Sequence, residues 1–132
     1  MTLILDTGAL IAVDRNNRRV VARLRVAFAK GEEAHVPAGV IAQAWRKPER
    51  QVLLARTLKQ CEEIPLNGAT ARSCGRLCEK TQTEDVIDAS VAIAAADADR
   101  RLPGVVTILT SDRPDMQLLL SVSGIRADFF DV

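Results

Sequence analysis

The chain has 132 residues, 48% of them hydrophobic, which is enough for one domain with a sizeable core. Its 18 basic and 17 acidic side chains nearly cancel, so the overall charge does not indicate a nucleic-acid-binding protein. No segment approaches the ~20 apolar residues of a membrane-spanning helix, and the first apolar run is too short for a secretion signal. We therefore expect a cytoplasmic protein with no membrane partner.

The predicted elements alternate between strands and helices along the whole chain. In order, they are strand 3–5, helix 9–12, helix 17–30, strand 34–37, helix 38–45, helix 49–60, strand 63–66, helix 67–80, helix 84–101, strand 105–109, helix 113–122 and strand 125–129. This alternation predicts a single α/β domain over residues 1–132, with a parallel sheet covered by helices on both faces.

Two of the predicted strands lead into a carboxylate. Asp6 directly follows the apolar run 3–5, and Asp112 follows strand 105–109 after Thr110 and Ser111. The carboxyl ends of parallel strands meet at one edge of a sheet, where ligands bind, so both acids are expected to face one crevice. For Asp6, capping of the following helix is an equally good explanation on its own.

A third acidic segment opens the longest and most apolar helix. Asp85 and Asp88 lie three residues apart near its N-terminus, where the helix dipole favours negative charge. Two carboxylates ~5 Å apart repel by roughly 3 kcal/mol at an effective dielectric constant of ~20, so a crowded set needs a cation or protons. Ligands that are all oxygen atoms favour Mg²⁺ or Mn²⁺ over Zn²⁺, and a carboxylate-bound Mg²⁺ supports phosphoryl transfer.

Taken together, three acidic blocks resemble those of PIN-domain ribonucleases, and most closely the VapC toxins of bacterial toxin–antitoxin pairs. The blocks are Leu5-Asp6-Thr7-Gly8-Ala9-Leu10-Ile11, Asp88-Ala89-Ser90-Val91-Ala92 and Leu109-Thr110-Ser111-Asp112. The resemblance spans nearly the whole chain. It implies a three-layer α/β/α sandwich with a central parallel sheet of about five strands. It also implies Mg²⁺-dependent cleavage of structured RNA such as tRNA or rRNA, with Mn²⁺ as a substitute, homodimers, and a VapB-like antitoxin that blocks the active site.

The same resemblance assigns roles to individual acids. Asp6, Asp88 and Asp112 match the metal-binding acids of the family and are expected to be catalytic. Asp115 matches a further acid that many members have, and it is a fourth candidate for catalysis. Asp85 fits a variant of the middle block that carries two acids, which makes it a further candidate metal ligand.

One position departs from the family pattern. Gln43 stands where the family usually has a glutamate, and with Thr7 and Ser111 it is a possible accessory residue of the site. An amide can coordinate through its oxygen but brings no charge. The alternative function is therefore a PIN-fold module that binds RNA or a protein partner with weak or no nuclease activity.

A phosphorylation-switch receiver domain is a second alternative, since it is also a doubly wound sheet with acids at its strand ends. That class needs paired acids after the first strand and a lysine after a late strand. Here Asp6 stands alone and the chain has no lysine after Lys80, so this alternative is disfavoured.

The remaining reactive side chains are given structural interpretations. Cys61, Cys74 and Cys78 contain no CxxC pair and are interpreted as free structural thiols of a reducing compartment. His35, the only histidine, is interpreted as a surface or packing residue rather than a ligand. Arginine outnumbers lysine 14 to 4, which favours phosphate recognition, although solvated helix faces explain the same residues.

Overall fold

The computed structural model describes residues 1–102 and 105–132. Its strands are Thr2–Leu5 (β1), Glu33–Pro37 (β2), Glu62–Ile64 (β3), Val106–Thr110 (β4) and Asp128–Asp131 (β5). Its α-helices are Thr7–Asp14 (α1), Arg18–Ala29 (α2), Ala38–Ala44 (α3), Val52–Leu58 (α4), Gly68–Thr81 (α5), Val86–Arg101 (α6) and Arg113–Ser123 (α7). Among these described residues, no helix is long and apolar enough to cross a bilayer.

The five strands form one parallel sheet in the order β3-β2-β1-β4-β5. From β1 the chain first builds outwards through β2 and β3, then returns to the other side of β1 for β4 and β5. The β1–β4 boundary is therefore the switch point of the sheet, where α/β proteins place their ligands. This order differs from the 2-1-3-4-5 order of receiver domains, so the receiver alternative is wrong.

Helices cover the sheet and complete the predicted three-layer α/β/α arrangement. Helix α1 packs on β1 and β4, and α2, α3 and α4 pack against α1. Helix α6 packs on β1, β2 and β4, and α5 and α7 pack against α6. The β1 side chains Leu3, Ile4 and Leu5 are fully buried, as expected for a strand covered on both faces. Alanines fill most of the buried positions of α6, and their small side chains let this helix lie close to the sheet.

The predicted helix 49–60 is wrong in its first turn. Residues Pro48–Arg50 form a 3-10 turn, and α4 begins only at Val52. The reason is Gln51, whose buried side chain accepts hydrogen bonds from the backbone N–H groups of Arg46 (2.7 Å) and Lys47 (3.1 Å). Its amide nitrogen donates to the Ala44 carbonyl (2.9 Å), so the residue holds the preceding loop instead of continuing a helix.

Other element ends also differ from the predictions. Helix α1 covers residues 7–14 instead of 9–12, because Asp6 is its N-cap and the helix therefore begins at Thr7. Strand β3 ends at Ile64, before Pro65, which has no N–H for a sheet. Strand β5 covers residues 128–131 instead of 125–129, since Phe129 and Phe130 pair with Ile108 and Leu109 of β4.

Candidate active site

Asp6 joins the ends of the two central strands. The residue is 3% exposed, and its backbone N–H donates to the carbonyl of Leu109 in β4 (3.1 Å). One carboxylate oxygen accepts the Ala9 N–H (2.9 Å) and caps α1, and the other accepts the Ser111 N–H across the switch point (3.1 Å). Asp6 therefore caps α1 and also links the end of β1 to the loop that follows β4. Burial raises the pKa of its carboxyl group, against the lowering effect of these hydrogen bonds.

Three further acidic residues lie close together at the same end of the sheet. Asp88 lies in the first turn of α6, Asp112 is the N-cap of α7, and Asp115 lies in the first turn of α7. Each offers a carboxylate oxygen, and the three oxygens lie within 4.8 Å of one another. We call Asp88, Asp112 and Asp115 the acidic cluster. It is built from the N-termini of two helices that begin at the same edge of the sheet.

The negative charges of this region act on one another. Burial and the charges of the four neighbouring acids raise the pKa of Asp88 to about 7, in the order burial, Asp85, Asp6, Asp112 and Asp115. A hydrogen bond to Asp112 and the charge of Asp112 raise the pKa of Asp115. No lysine or arginine of residues 1–102 or 105–132 forms an ion pair with the cluster. The cluster is thus an uncompensated concentration of negative charge.

The acidic cluster fits a hard divalent cation. Its donor atoms are all carboxylate oxygens, which suits Mg²⁺ or Mn²⁺, and their mutual repulsion would be relieved by a bound cation. Asp88, Asp112 and Asp115 can each supply one ligand atom. Asp6 adds charge to the site, although hydrogen bonds already engage both of its carboxylate oxygens.

Asp85 is placed differently from the helical position that its spacing predicted. It is the N-cap of α6, and one of its oxygens accepts the N–H groups of Ile87 (3.0 Å) and Asp88 (2.9 Å). The exposed Asp85 side chain therefore holds the first turn that carries Asp88. Its role as a metal ligand stays a prediction.

The accessory candidates line the neighbouring edge of the site. The Thr7 hydroxyl donates a hydrogen bond to the Gln43 side-chain oxygen, which links the start of α1 to α3. Gln43 is exposed, and its contact with Thr7 places it next to the residue that follows Asp6. Ser111 contributes its backbone N–H to Asp6.

Two residues of the site were missed by sequence reasoning. The hydroxyl of the fully buried Thr110 accepts the Asp112 N–H (2.9 Å) and hydrogen-bonds the Asp6 side chain, so it bridges the two strand-end acids. Gly8 lies so close to the β4–α7 loop that a Cβ atom there would come within 2.5 Å of the Ser111 Cβ. A threonine at a strand end and a glycine two residues after Asp6 were visible signals, but Thr110 contacts Asp6 and Gly8 contacts Ser111, about a hundred residues apart in each case.

The raised Asp88 pKa predicts a specific pH dependence of metal-free stability. With a pKa of about 7 in the fold and an ordinary value of 3.8, Asp88 stays protonated in the folded protein where the unfolded chain has ionised. Its contribution to the free energy of unfolding is therefore largest below pH 3.8 and is lost as the pH rises towards 7. Urea unfolding across this range should show the loss in the parent and a smaller loss in Asp88→Asn. If the free energies of unfolding of the parent and of Asp88→Asn change with pH in the same way, the neighbouring acids do not raise the Asp88 pKa as described.

The comparisons with known proteins bear on the fold. The sequence matches no protein-family model and no curated protein. Its structure is similar to a chain in the crystal structure of VapBC2 from Rickettsia felis bound to a DNA fragment from their promoter. The TM-score is 0.68 at 17% sequence identity, over 99% of this chain and 100% of the other. The two chains therefore share a fold along their whole length, which confirms the fold implied by the PIN-domain resemblance.

Proposed function

We propose that this protein is a Mg²⁺- or Mn²⁺-dependent endoribonuclease, and that it acts as the toxin of a VapBC-type toxin–antitoxin pair. The observation that carries the proposal is the acidic cluster at the switch point of the sheet, without a basic partner among the described residues. Its charge would repel RNA phosphates unless a cation were bound. The shared fold with a chain of the VapBC2 structure supports the toxin role.

The side chains have separate tasks in this proposal. Asp88 and Asp112 hold the cation, which when bound lowers the pKa of water and neutralises charge on the scissile phosphate. Asp115 is the exposed member of the cluster, and it either completes the ligand set or accepts the proton of the attacking water. Asp6 and Thr110 keep the ends of β1 and β4 at a fixed separation, and Asp85 orients the first turn of α6.

The partners follow from the same proposal. The substrate is structured RNA, of which tRNA and rRNA are the first to test. The inhibitor is a VapB-like antitoxin, and an arginine placed among the carboxylates would silence the site by bidentate pairing. The active form is a homodimer in the cytoplasm.

The test is cleavage of purified tRNA and rRNA by the isolated protein. Cleavage is expected with Mg²⁺ or Mn²⁺ and is expected to stop with a chelator. Mapping the new RNA ends would define the substrate. If the metal-loaded protein binds RNA but cuts none of it, the nuclease proposal fails and the PIN-fold binding module becomes the function.

Gln43 is the observation that favours this second candidate, since an amide replaces the usual acid. Gln43→Glu keeps an oxygen that can accept the Thr7 hydroxyl bond and adds one negative charge near Asp6. We expect cleavage to reach half its maximum at a lower Mg²⁺ concentration in this variant. Because Gln43 is exposed, the metal-free stability should fall by no more than ~1 kcal/mol.

Titration of cleavage against Mg²⁺ for both proteins decides the point. Gln60→Glu is a matched control, because it adds the same charge at another exposed position. Superimposable curves for Gln43→Glu and the parent would show that Gln43 does not act on the metal.

A further inference from the structure

A second group of ligand-type side chains lies near the amino ends of strands β2 and β3, at the opposite end of the strands from the acidic cluster. Glu33 is the first residue of β2, and Glu62 is the first residue of β3 and pairs in register with His35. Glu33 and Glu62 thus lie at the amino ends of their strands, whereas the acidic cluster lies beyond the carboxyl ends of the strands. Helix α6 joins these two ends of the sheet, with Asp88 in its first turn and Arg101 as its last residue. At 1.5 Å per residue, this helix separates the two groups by ~20 Å.

The histidine of this group is buried and lacks a hydrogen bond at one nitrogen. His35 is 1% exposed, and its Nε2 atom lies 3.1 Å from Glu62 Oε2 and 3.4 Å from Glu33 Oε2. Neither contact has hydrogen-bond geometry, so Nε2 is a buried polar atom without a hydrogen-bond partner. The three side chains offer donor atoms within 4.8 Å of one another. Both contacts lie within ion-pair distance, and a cation bound among these donor atoms would give the Nε2 atom the partner that it lacks.

We propose that Glu33, His35 and Glu62 form a binding site for a borderline transition-metal dication, with Zn²⁺ as the representative ion. One imidazole nitrogen and two carboxylate oxygens are ligands that Zn²⁺ accepts, and Zn²⁺ prefers four of them. The glutamate side chains are 63% and 53% exposed, so the ion can enter from solvent and keep water as its fourth ligand. The acidic cluster offers oxygen atoms only, so the two sites differ in the metal they favour.

A bound ion would link the outer strand β3 to its neighbour β2. Strand β3 has only three residues, and in the described part of the chain it pairs only with β2. Ligands from both strands would link them through the metal, which predicts a structural gain that does not depend on nuclease activity.

Cys61, although next to Glu62 in the chain, is not a ligand of this site. Its thiol donates to the Thr57 carbonyl (3.3 Å) within the α4 end. The donor atoms that lie within 4.8 Å of one another belong to Glu33, His35 and Glu62 and do not include this thiol. A Cys61→Ser variant should therefore bind Zn²⁺ as the parent does.

Arg101 opposes metal binding. Its Nη2 atom lies 3.4 Å from His35 Nδ1, and a guanidinium can only donate, so this contact favours the tautomer with its proton on Nε2. A metal ion needs the lone pair of Nε2 and moves the proton to Nδ1, towards Arg101. Arg101→Gln removes the charge and the donor that face Nδ1, so the proton can move to Nδ1 more easily and Zn²⁺ binding should tighten.

The experiment is calorimetric titration of Zn²⁺ into the full chain carrying Asp88→Asn, which weakens the acidic cluster. We expect one saturable site, a rise in the thermal midpoint, and visible absorption bands when Co²⁺ replaces Zn²⁺. Adding Glu62→Gln or Glu33→Gln should weaken the affinity at least tenfold, while Arg101→Gln should strengthen it. Glu63→Gln, which changes an exposed glutamate beside Glu62, is the matched control and should leave the affinity unchanged.

The glutamate variants decide the proposal because both positions are exposed and should not disturb folding. The absence of saturable Zn²⁺ binding would overturn it, as would equal affinities for Glu62→Gln and Glu63→Gln.

Discussion

Replacing Asp88 with asparagine should strongly reduce the proposed Mg²⁺-dependent RNA cleavage without weakening the metal-free fold. The asparagine would keep the shape of the side chain but remove the charge at the centre of the acidic cluster. A loss of ~3–4 kcal/mol in transition-state stabilisation corresponds to a rate lower by ~10²–10³. Mg²⁺ is expected to raise the thermal midpoint of the parent by mass action, and this rise should largely disappear in the variant.

The metal-free protein is expected to behave in the opposite sense. Burial and the neighbouring charges disfavour ionised Asp88, so its removal should leave stability unchanged or raise it near neutral pH. Asp128→Asn is the matched control, because it removes an exposed carboxylate at the start of β5, away from the cluster. A clearly destabilised metal-free Asp88→Asn protein would indicate a hydrogen-bonding role in the fold instead of a metal-binding one.

Gly8→Ala should both destabilise the protein and reduce cleavage. The added Cβ would clash with Ser111 Oγ and would lie 2.5 Å from Ser111 Cβ. The hydroxyl can rotate away, but the Ser111 Cβ can move only with its backbone. The start of α1 and the β4–α7 loop must then separate, at a cost of ~1–3 kcal/mol. The hydrogen bond from the Ser111 N–H to Asp6 (3.1 Å) lies across this gap and should lengthen.

Urea unfolding and Mg²⁺ titration of cleavage measure the two effects of this substitution. Gly75→Ala is the control, because Gly75 lies in α5 with open space around its Cβ position and should gain ~1 kcal/mol from helix propensity. Ser111→Gly should rescue Gly8→Ala, since it removes both atoms in the clash. If the double variant is as unstable as Gly8→Ala, the close approach to Ser111 is not the cause.

The sequence by itself determined the class of the fold and where its chemistry would lie. Short continuous apolar runs such as 3–5 and 105–109 are typical of strands buried on both faces, and helical segments between such strands favour a parallel sheet. Carboxylates placed directly after such strands must then lie at one edge. For that reason Asp6 and Asp112 could be named from their strands, whereas Asp88 was named from its place at the start of an apolar helix and from the PIN-domain resemblance. The strand order could not be predicted.

Only the tertiary structure decided which distant residues touch. The neighbours of β1 are β2 and β4, and this pairing places Ser111 and Thr110 on Asp6 and places Ser111 against Gly8. It also buries His35 between two glutamates, where sequence alone suggested a surface or packing residue. Hydrophobic periodicity reports on local conformation and on which face is buried. The partners of a polar side chain depend instead on strand order and register, which are settled by the packing of the whole chain.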